Sequence, residues 1–455
     1  HRVDRRQRQM CIRDSPYTGE LLFKEEPLSS KELVVKIQQM RQTQCAWAAL
    51  TIDERLHQLA AFKERLLKNK KVWQQMIAEE IGRTLKEGAA EIDKSVKLID
   101  YYLNIAKDIL KTQKVEVKEG KSQILLEPLG LIFAVMPWNY PIWQMLRFAI
   151  PALCAGNAAL IKPAPSVGRI SRAFFAAVAE DLPFSYVFLA NETVEEAIKE
   201  SDGFAFTGSV TTGSKLAALA AQYLKKSVLE LGGSNAFLVL MDADIKAAAE
   251  AVVYSRFRDN GQSCNAAKRV MVDQTIAQEF IDQVLYHVDQ LKMGDPQDPH
   301  TTLGPLHLRK TKDSMAEIVQ EALKQGACCL KGGQARGDDN FYPPTVLLGG
   351  DIKARVWQEE VFGPVLPIRV VKDTAEAVSL ANNTRFGLGA AIYTTDYLRA
   401  EKLAKQLKVG SVYVNRHTSS QLQLPFGGVK DSGYGRELSP YGLLEFLNLK
   451  SYWQQ

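Results

Sequence analysis

From residue 129 onward, short unbroken apolar runs alternate with helical segments, and few folds accommodate that alternation. "GLIFAVMP", "AALIKPAP", "YVFLAN", "GFAFTGS" and "KSVLELGG" read as buried strands. "IPALCAGN", "GRISRAFFAAVAEDL" and "TTGSKLAALAAQYL" between them read as helices. Parallel neighbours need a long return connection, and a helix both supplies it and covers the sheet. A parallel sheet covered on both faces is therefore expected. A second α/β section follows. It holds "AFLVLMDAD", the helix "IKAAAEAVVYSRFRDN", "KRVMVD", two helices to about residue 325, then "YPPTVLL", "VLPIRVV", a helix, "GLGAAIYTT" and "GSVYVN".

The flanking segments differ in period. Residues 31–111 carry apolar residues at three- and four-residue spacing, which predicts helices capped by Ser30 and Asp53, one of them ending near Gly82. Residues 115–130, "VEVKEGKSQILLEPLG", alternate around a "KEGK" turn and predict a projecting β-hairpin, and "LEFLNLKSYW" predicts a terminal strand. Such elements can pair across a subunit boundary, so a homo-oligomer is expected. A chain of 455 residues exceeds one core at roughly 100–200 residues per domain, which predicts two or three domains.

Composition excludes several classes. No apolar run reaches the roughly 18–20 residues that span a bilayer, so no membrane partner is expected. The net charge of +5, from 57 basic and 52 acidic residues, is mild and comes with no nucleic-acid-binding motif. Cys11, Cys45, Cys154, Cys264, Cys328 and Cys329 have neither CxxC pairing nor metal-ligand spacing. A reducing, cytoplasmic setting without a metal follows. Cys154 reads as core, Cys45 as helix packing, and Cys328 and Cys329 as lying beside a turn. The arginine-rich residues 1–14 lack a secretory h-region and read as a non-native or disordered tail; a transit peptide or a nucleic-acid arm is the alternative.

Four stretches carry chemistry, each with a plainer reading beside it. "FRDNGQSCNAAKR" sets Cys264 among small and polar neighbours, as a nucleophile or a buried thiol. "LELGGSN" puts Glu230 at a strand end before a double glycine, where a substrate can approach closely; it is equally a solvated carboxylate. "MPWNYP" holds Asn139 between Trp138 and Tyr140 in a turn, as an oxyanion donor or an amide satisfying its own turn. "FTGSVTTGSKLAALAA" orders strand, small-residue turn and helix, which suits a phosphate at the helix N-terminus or an ordinary connection; there is no GxGxxG.

Taken together, "PWNYP", "IKPAPS", "FTGS", "LELGG", "GQSC", "EEVFGPV" and "PFGGVKDSGYGRE" follow the order and spacing of the aldehyde dehydrogenase superfamily, which residues 15–455 resemble. Within it, the chain is most similar to bacterial NAD(P)-dependent succinate-semialdehyde dehydrogenases. The resemblance implies an α/β, aldehyde-dehydrogenase-like fold: two Rossmann-like parallel-sheet domains plus a small β oligomerisation element. Residues 15–114 and 131–231 would bind the dinucleotide and 232–438 would form the catalytic domain. Residues 115–130 and 439–455 would build a homodimer or homotetramer.

The same resemblance assigns roles. Cys264 is the nucleophile, Asn139 and the Cys264 N–H hold the oxyanion, and Glu230 is the base. Trp138, Lys162, Gly208, Ser209, Leu231, Glu360 and Phe362 contact the cofactor, NAD or NADP. NAD is favoured, although Pro165 stands where NAD-specific relatives often carry an acid and so leaves NADP open. Ala266 replaces the second cysteine of a regulatory disulfide. Arg147, Arg258 and Ser420 match positions that hold a distal carboxylate; in a helix Arg147 falls about two turns beyond Asn139, on nearly the same face. Each arginine has a packing role as its alternative. His417 lies near the substrate loop. Succinate semialdehyde is the expected substrate, with glutarate semialdehyde or a broad range of aliphatic aldehydes as the alternative. A cysteine esterase and a non-catalytic member of the fold are the other classes.

Overall fold

The computed structural model describes residues 11–179, 181–335 and 337–455. Two mainly parallel sheets form its centre. The first runs in the order Gly433–Tyr434, Lys226–Glu230, Gly203–Thr207, Leu131–Met136, Ala158–Pro163, Phe184–Tyr186, with only the two-residue edge piece antiparallel. The pleat explains why its strands are apolar throughout. Ile132, Ala134 and Met136 enter one core with Phe62, Trp73 and Phe174, while Leu131 and Phe133 enter another with Leu33 and Ile37.

The second sheet runs Ala327–Lys331, Thr345–Gly349, Val365–Val371, Arg269–Asp273, Ala236–Val239, Gly389–Tyr393, Ser411–Val414. Ala236 and Leu238 face Trp357 and Met315, and Phe237 and Val239 face Phe257 and Phe280. The expected hairpin and terminal strand meet within one chain: Leu447–Gln454 pairs antiparallel with Lys121–Pro128, which pairs with Gln113–Val115. No described helix is long and apolar enough to cross a membrane.

Several expectations need correction. Residues 11–14 belong to the fold. Cys11–Asp14 pairs with Leu21–Glu25, Cys11 packs against Phe23 and Phe188, and Arg13 is buried, with its Nε donating to the Glu80 carbonyl at 2.8 Å. The arginine serves an otherwise unpaired carbonyl at a helix end. Residues 1–10 of the expected tail lie outside the described residues. The helix caps are Ser29 and Thr51, because only these stand three residues before Glu32 and Glu54 and close capping boxes. Gly82 does end a helix, at φ 86°. Cys328 and Cys329 lie in the edge strand Ala327–Lys331, beside the turn at residues 325–326 as expected. Gly433–Tyr434, within the segment expected to be catalytic, joins the first sheet.

Candidate active site

The site collects at the carboxyl ends of the first sheet's strands, where an open parallel sheet leaves a crevice. Asn139 follows Leu131–Met136, Lys162 lies near the end of Ala158–Pro163, Gly208 and Ser209 follow Gly203–Thr207, and Glu230 ends Lys226–Glu230. The second lobe supplies the cysteine loop. After helix Ile245–Phe257 the chain turns sharply, with Asp259 at φ 52° and Asn260 at φ 58°, and then reaches Cys264.

That turn is strained, and a buried clamp holds it. Arg83 Nε donates to Asp259 Oδ1 at 2.6 Å, Arg83 also pairs with Glu91, and the Tyr140 hydroxyl donates to Asp259. Glu91 accepts the Ile142 and Trp143 N–H groups at 2.9 Å, fixing the start of helix Pro141–Cys154. Burial opposes ionisation of Asp259, but Arg83 and Arg258 overcome it and hold the carboxyl below its ordinary range. Beside it, burial and the Asp259 charge push Glu87 up to about 7.

A cavity of about 430 Å³ opens on Cys264 and is lined by Lys94, Trp143, Arg147, Arg258 and Ser420 among others. Burial raises the Cys264 thiol above its ordinary value, against the pull of Arg147. Asn139 Nδ2 donates to the Gln262 carbonyl at 3.0 Å, just ahead of the cysteine, which leaves its second N–H available. Glu230 is buried and neither carboxyl oxygen has a hydrogen-bond partner among the described residues. Burial and neighbouring Glu437 hold it well above the carboxylate range, while Arg147 and Arg436 pull the other way. Glu360 and, when it is ionised, Glu230 also oppose formation of the Cys264 thiolate.

The expected substrate residues all line the cavity, in different states. Arg147 has its Nε paired with Glu437 and its guanidinium 4.8 Å from the Phe426 ring centre, so one edge is committed. Arg258 lies over Tyr254, and its Nε makes no hydrogen bond among the described residues. Asp259, 4.0 Å away, is already held by Arg83 and Tyr140. The Ser420 hydroxyl accepts from Lys94. His417 packs 5.1 Å from Tyr254, and burial with Arg258 pushes it down to about 4.

The cofactor residues form a second cluster. Glu360 accepts from Lys268 at 3.0 Å and from the Gly233 N–H at 3.2 Å, and a side chain at Gly232 would strike its carboxylate. The double glycine thus lets this acid settle against the strand end. Phe362 meets Trp138 edge-on at 6.0 Å, and Trp138 stacks on His307 at 3.9 Å. His307 contacts Ser166 Oγ at 2.8 Å and Arg13 at 2.9 Å. Ser209 is exposed and accepts the Thr212 N–H at the head of helix Val210–Gln222, and Leu231 packs so closely on Gly213 that a side chain there would collide. Lys162 is buried, and burial lowers its pKa. Free helix N–H groups, a hydroxyl, an acid and an aromatic wall fit a dinucleotide.

Lys94, Lys268, Glu437 and His307 were not foreseen. Lys94 lies in an ordinary amphipathic helix, Leu85–Ile109, and its spacing does not separate it from solvated lysines. Glu437 sits inside the quoted "PFGGVKDSGYGRE" motif, so the motif could have flagged it.

Comparison with known proteins bears on this arrangement. The model of the aldehyde dehydrogenase family matches residues 3–452. A succinate semialdehyde dehydrogenase, NAD(P)+, of Escherichia coli (strain K12) is 39% identical over 415 residues, covering 90% of each chain. A probable succinate-semialdehyde dehydrogenase, NADP(+), of Synechocystis is 36% identical, covering 96% of this chain and 98% of its own. Among solved structures, the succinic semialdehyde dehydrogenase of Streptococcus pyogenes in complex with NADP+ superimposes with a TM-score of 0.94 at 30% identity, over 97% of this chain and 99% of its own.

Proposed function

This chain belongs to the aldehyde dehydrogenase family, and from that premise we propose that it oxidises succinate semialdehyde, or a close ω-oxo acid, to the carboxylate. The family fixes the class of reaction, an NAD(P)-dependent oxidation of an aldehyde through a cysteine thiohemiacetal. The observation that carries the substrate reading is Arg258, a cation on the wall of the Cys264 cavity whose neighbouring carboxylate is already engaged elsewhere.

The residue roles follow from the chemistry. Cys264 loses its thiol proton to solvent, the thiolate Sγ attacks the aldehyde carbon, and the carbonyl π electrons move to oxygen as the C–S bond forms. The free N–H of Asn139 and the Cys264 N–H hold the resulting oxyanion; one such donor contributes about 3–4 kcal/mol. NAD(P), when bound, supplies the hydride acceptor that converts the adduct into a thioester. Lys162, Gly208, Ser209, Leu231 and Glu360 would hold it, with Trp138 and Phe362 beside its ring. Glu230 takes a proton from water, whose oxygen attacks the thioester and releases Cys264.

Arg258→Ala tests the substrate. Its kcat/KM for succinate semialdehyde is expected to fall about 10- to 100-fold, the worth of a charge-assisted hydrogen bond, while butanal changes little. Equal losses on both aldehydes would overturn the reading. Glutarate semialdehyde should be accepted less well, since one methylene changes binding by about 1–3 kcal/mol.

NADP is accepted as well as NAD, a reading supported by the uncharged, exposed Pro165 and by relatives named for NADP(+). Pro165→Glu is expected to lower kcat/KM for NADP by about tenfold or more through repulsion of the 2′-phosphate, with a much smaller change for NAD. A parallel fall with both dinucleotides would place residue 165 outside the 2′ site. Exposed Leu449, Tyr452 and Trp453 on the terminal strand support a homo-oligomer, dimeric or tetrameric.

A further inference from the structure

Lys94 projects from helix Leu85–Ile109 into the cavity that holds Cys264. Its Nζ donates to Ser420 Oγ and lies 4.2 Å from the centre of the Trp143 ring, a face that favours a cation. The charged groups around it come from four further segments. Arg147 stands on helix Pro141–Cys154, Arg258 and Asp259 on the turn after helix Ile245–Phe257, Cys264 beyond that turn, and His417 ahead of Ser420. Of the acids at this wall, Asp259 is engaged by Arg83 and Tyr140, Glu91 by Arg83, and Glu87 by the Thr84 and Asp259 N–H groups, while Glu437 behind it is engaged by Arg147. Lys94 forms no ion pair with a carboxylate among the described residues, and an ammonium has three donors to place. This wall therefore has Lys94 and Arg258 in excess of its available anions.

We propose that Lys94 determines specificity by binding the distal carboxylate of the substrate jointly with Arg258 and Ser420, and that it takes up a proton as that carboxylate arrives. The inference rests on the ω-oxo-acid reading above and extends it to a residue outside the family motifs. The physical basis of the proton uptake is the cationic, partly dry setting of Lys94. Burial, with Arg258 and Arg147 adding repulsion, lowers Lys94 to about 7. A carboxylate in contact favours the ammonium and raises that value. Affinity for the acid is then fully present below about pH 7 and declines as pH rises past the free-enzyme value, at most about tenfold per unit. Butanal has no carboxylate, so its binding carries no such dependence.

The test is the ratio of kcat/KM for succinate semialdehyde to that for butanal, from pH 6 to 9, in the intact enzyme with NAD or NADP. Dividing by butanal cancels the titration of Cys264 and Glu230, which serve both substrates. Wild type is expected to hold a constant ratio to about pH 7 and then fall. Lys94→Met should lower the ratio about 10- to 100-fold at pH 6.5 and remove its pH dependence, with circular dichroism and the thermal midpoint showing that the variant is folded. Lys94→Arg, which stays charged, should keep the preference and flatten the profile. If Arg258→Ala discriminates between the two aldehydes and Lys94→Met does not, Lys94 has no part in the subsite although the substrate reading stands. If neither variant discriminates, both readings fall. A wild-type ratio that is level to pH 9 would overturn the proton uptake.

Discussion

Replacing Cys264 by alanine is expected to lower aldehyde oxidation by at least about 10⁴-fold, with NAD or NADP and with every aldehyde tested. The size of the loss follows from the cavity. The other side chains there that could attack are hydroxyls, Ser263 and Ser420 among them, and the adjacent Ser263 accepts the Asn265 N–H. An unactivated hydroxyl is a far weaker nucleophile than a thiolate at neutral pH. The measurement is reduced-nicotinamide absorbance, with circular dichroism to show that the variant is folded. A variant within tenfold of wild type would remove the covalent mechanism. Cys11, Cys154 and Cys329, each with its thiol also raised by burial, should tolerate serine or alanine far better in this assay.

Glu230→Gln should separate the two halves of the reaction. A stoichiometric burst of reduced nicotinamide is expected to survive, while the steady-state rate falls about 10²- to 10⁴-fold because no base activates the hydrolytic water. Burial and Glu437 hold the Glu230 carboxyl well above its ordinary range, so in wild type the base is protonated at low pH and gains activity as pH rises through that elevated value. Thioester hydrolysis should therefore accelerate with pH in wild type and be flat over the same range in the variant. Rapid-mixing traces at several pH values measure both phases. An unchanged steady state would remove Glu230 as the base.

Much of this fold was legible because strands buried on both faces leave an unmistakable pattern, as in "GLIFAVMP", and because helix spacing separates the segments between them. Cys264, Asn139 and Glu230 were legible by another route: the residues around each leave a plainer reading open, and their proposed roles came from the ordered motifs that resemble the aldehyde dehydrogenase superfamily. Lys94 was not, since a lysine on an amphipathic helix acquires its meaning only from the groups that arrive opposite it, here Trp143 and Ser420. The partnership of Arg147 with Glu437 was hidden likewise, because the two are distant in sequence and meet only once Gly433–Tyr434 has joined the first sheet. The strand Cys11–Asp14 was obscured by composition. An arginine-rich stretch reads as solvated until the carbonyl that Arg13 reaches is seen.

The clamp between Arg83 and Asp259 also bears on how small molecules come and go. Arg83 lies between helices Lys70–Ile81 and Leu85–Ile109 of one lobe, and Asp259 belongs to the other. Moving the lobes apart would part Arg83 from Asp259 while leaving it paired with Glu91, so the clamp favours the closed arrangement. Aldehyde and acid then reach Cys264 through the mouth of the cavity. Exposed Pro299 and Thr302 on the cavity wall mark its sill.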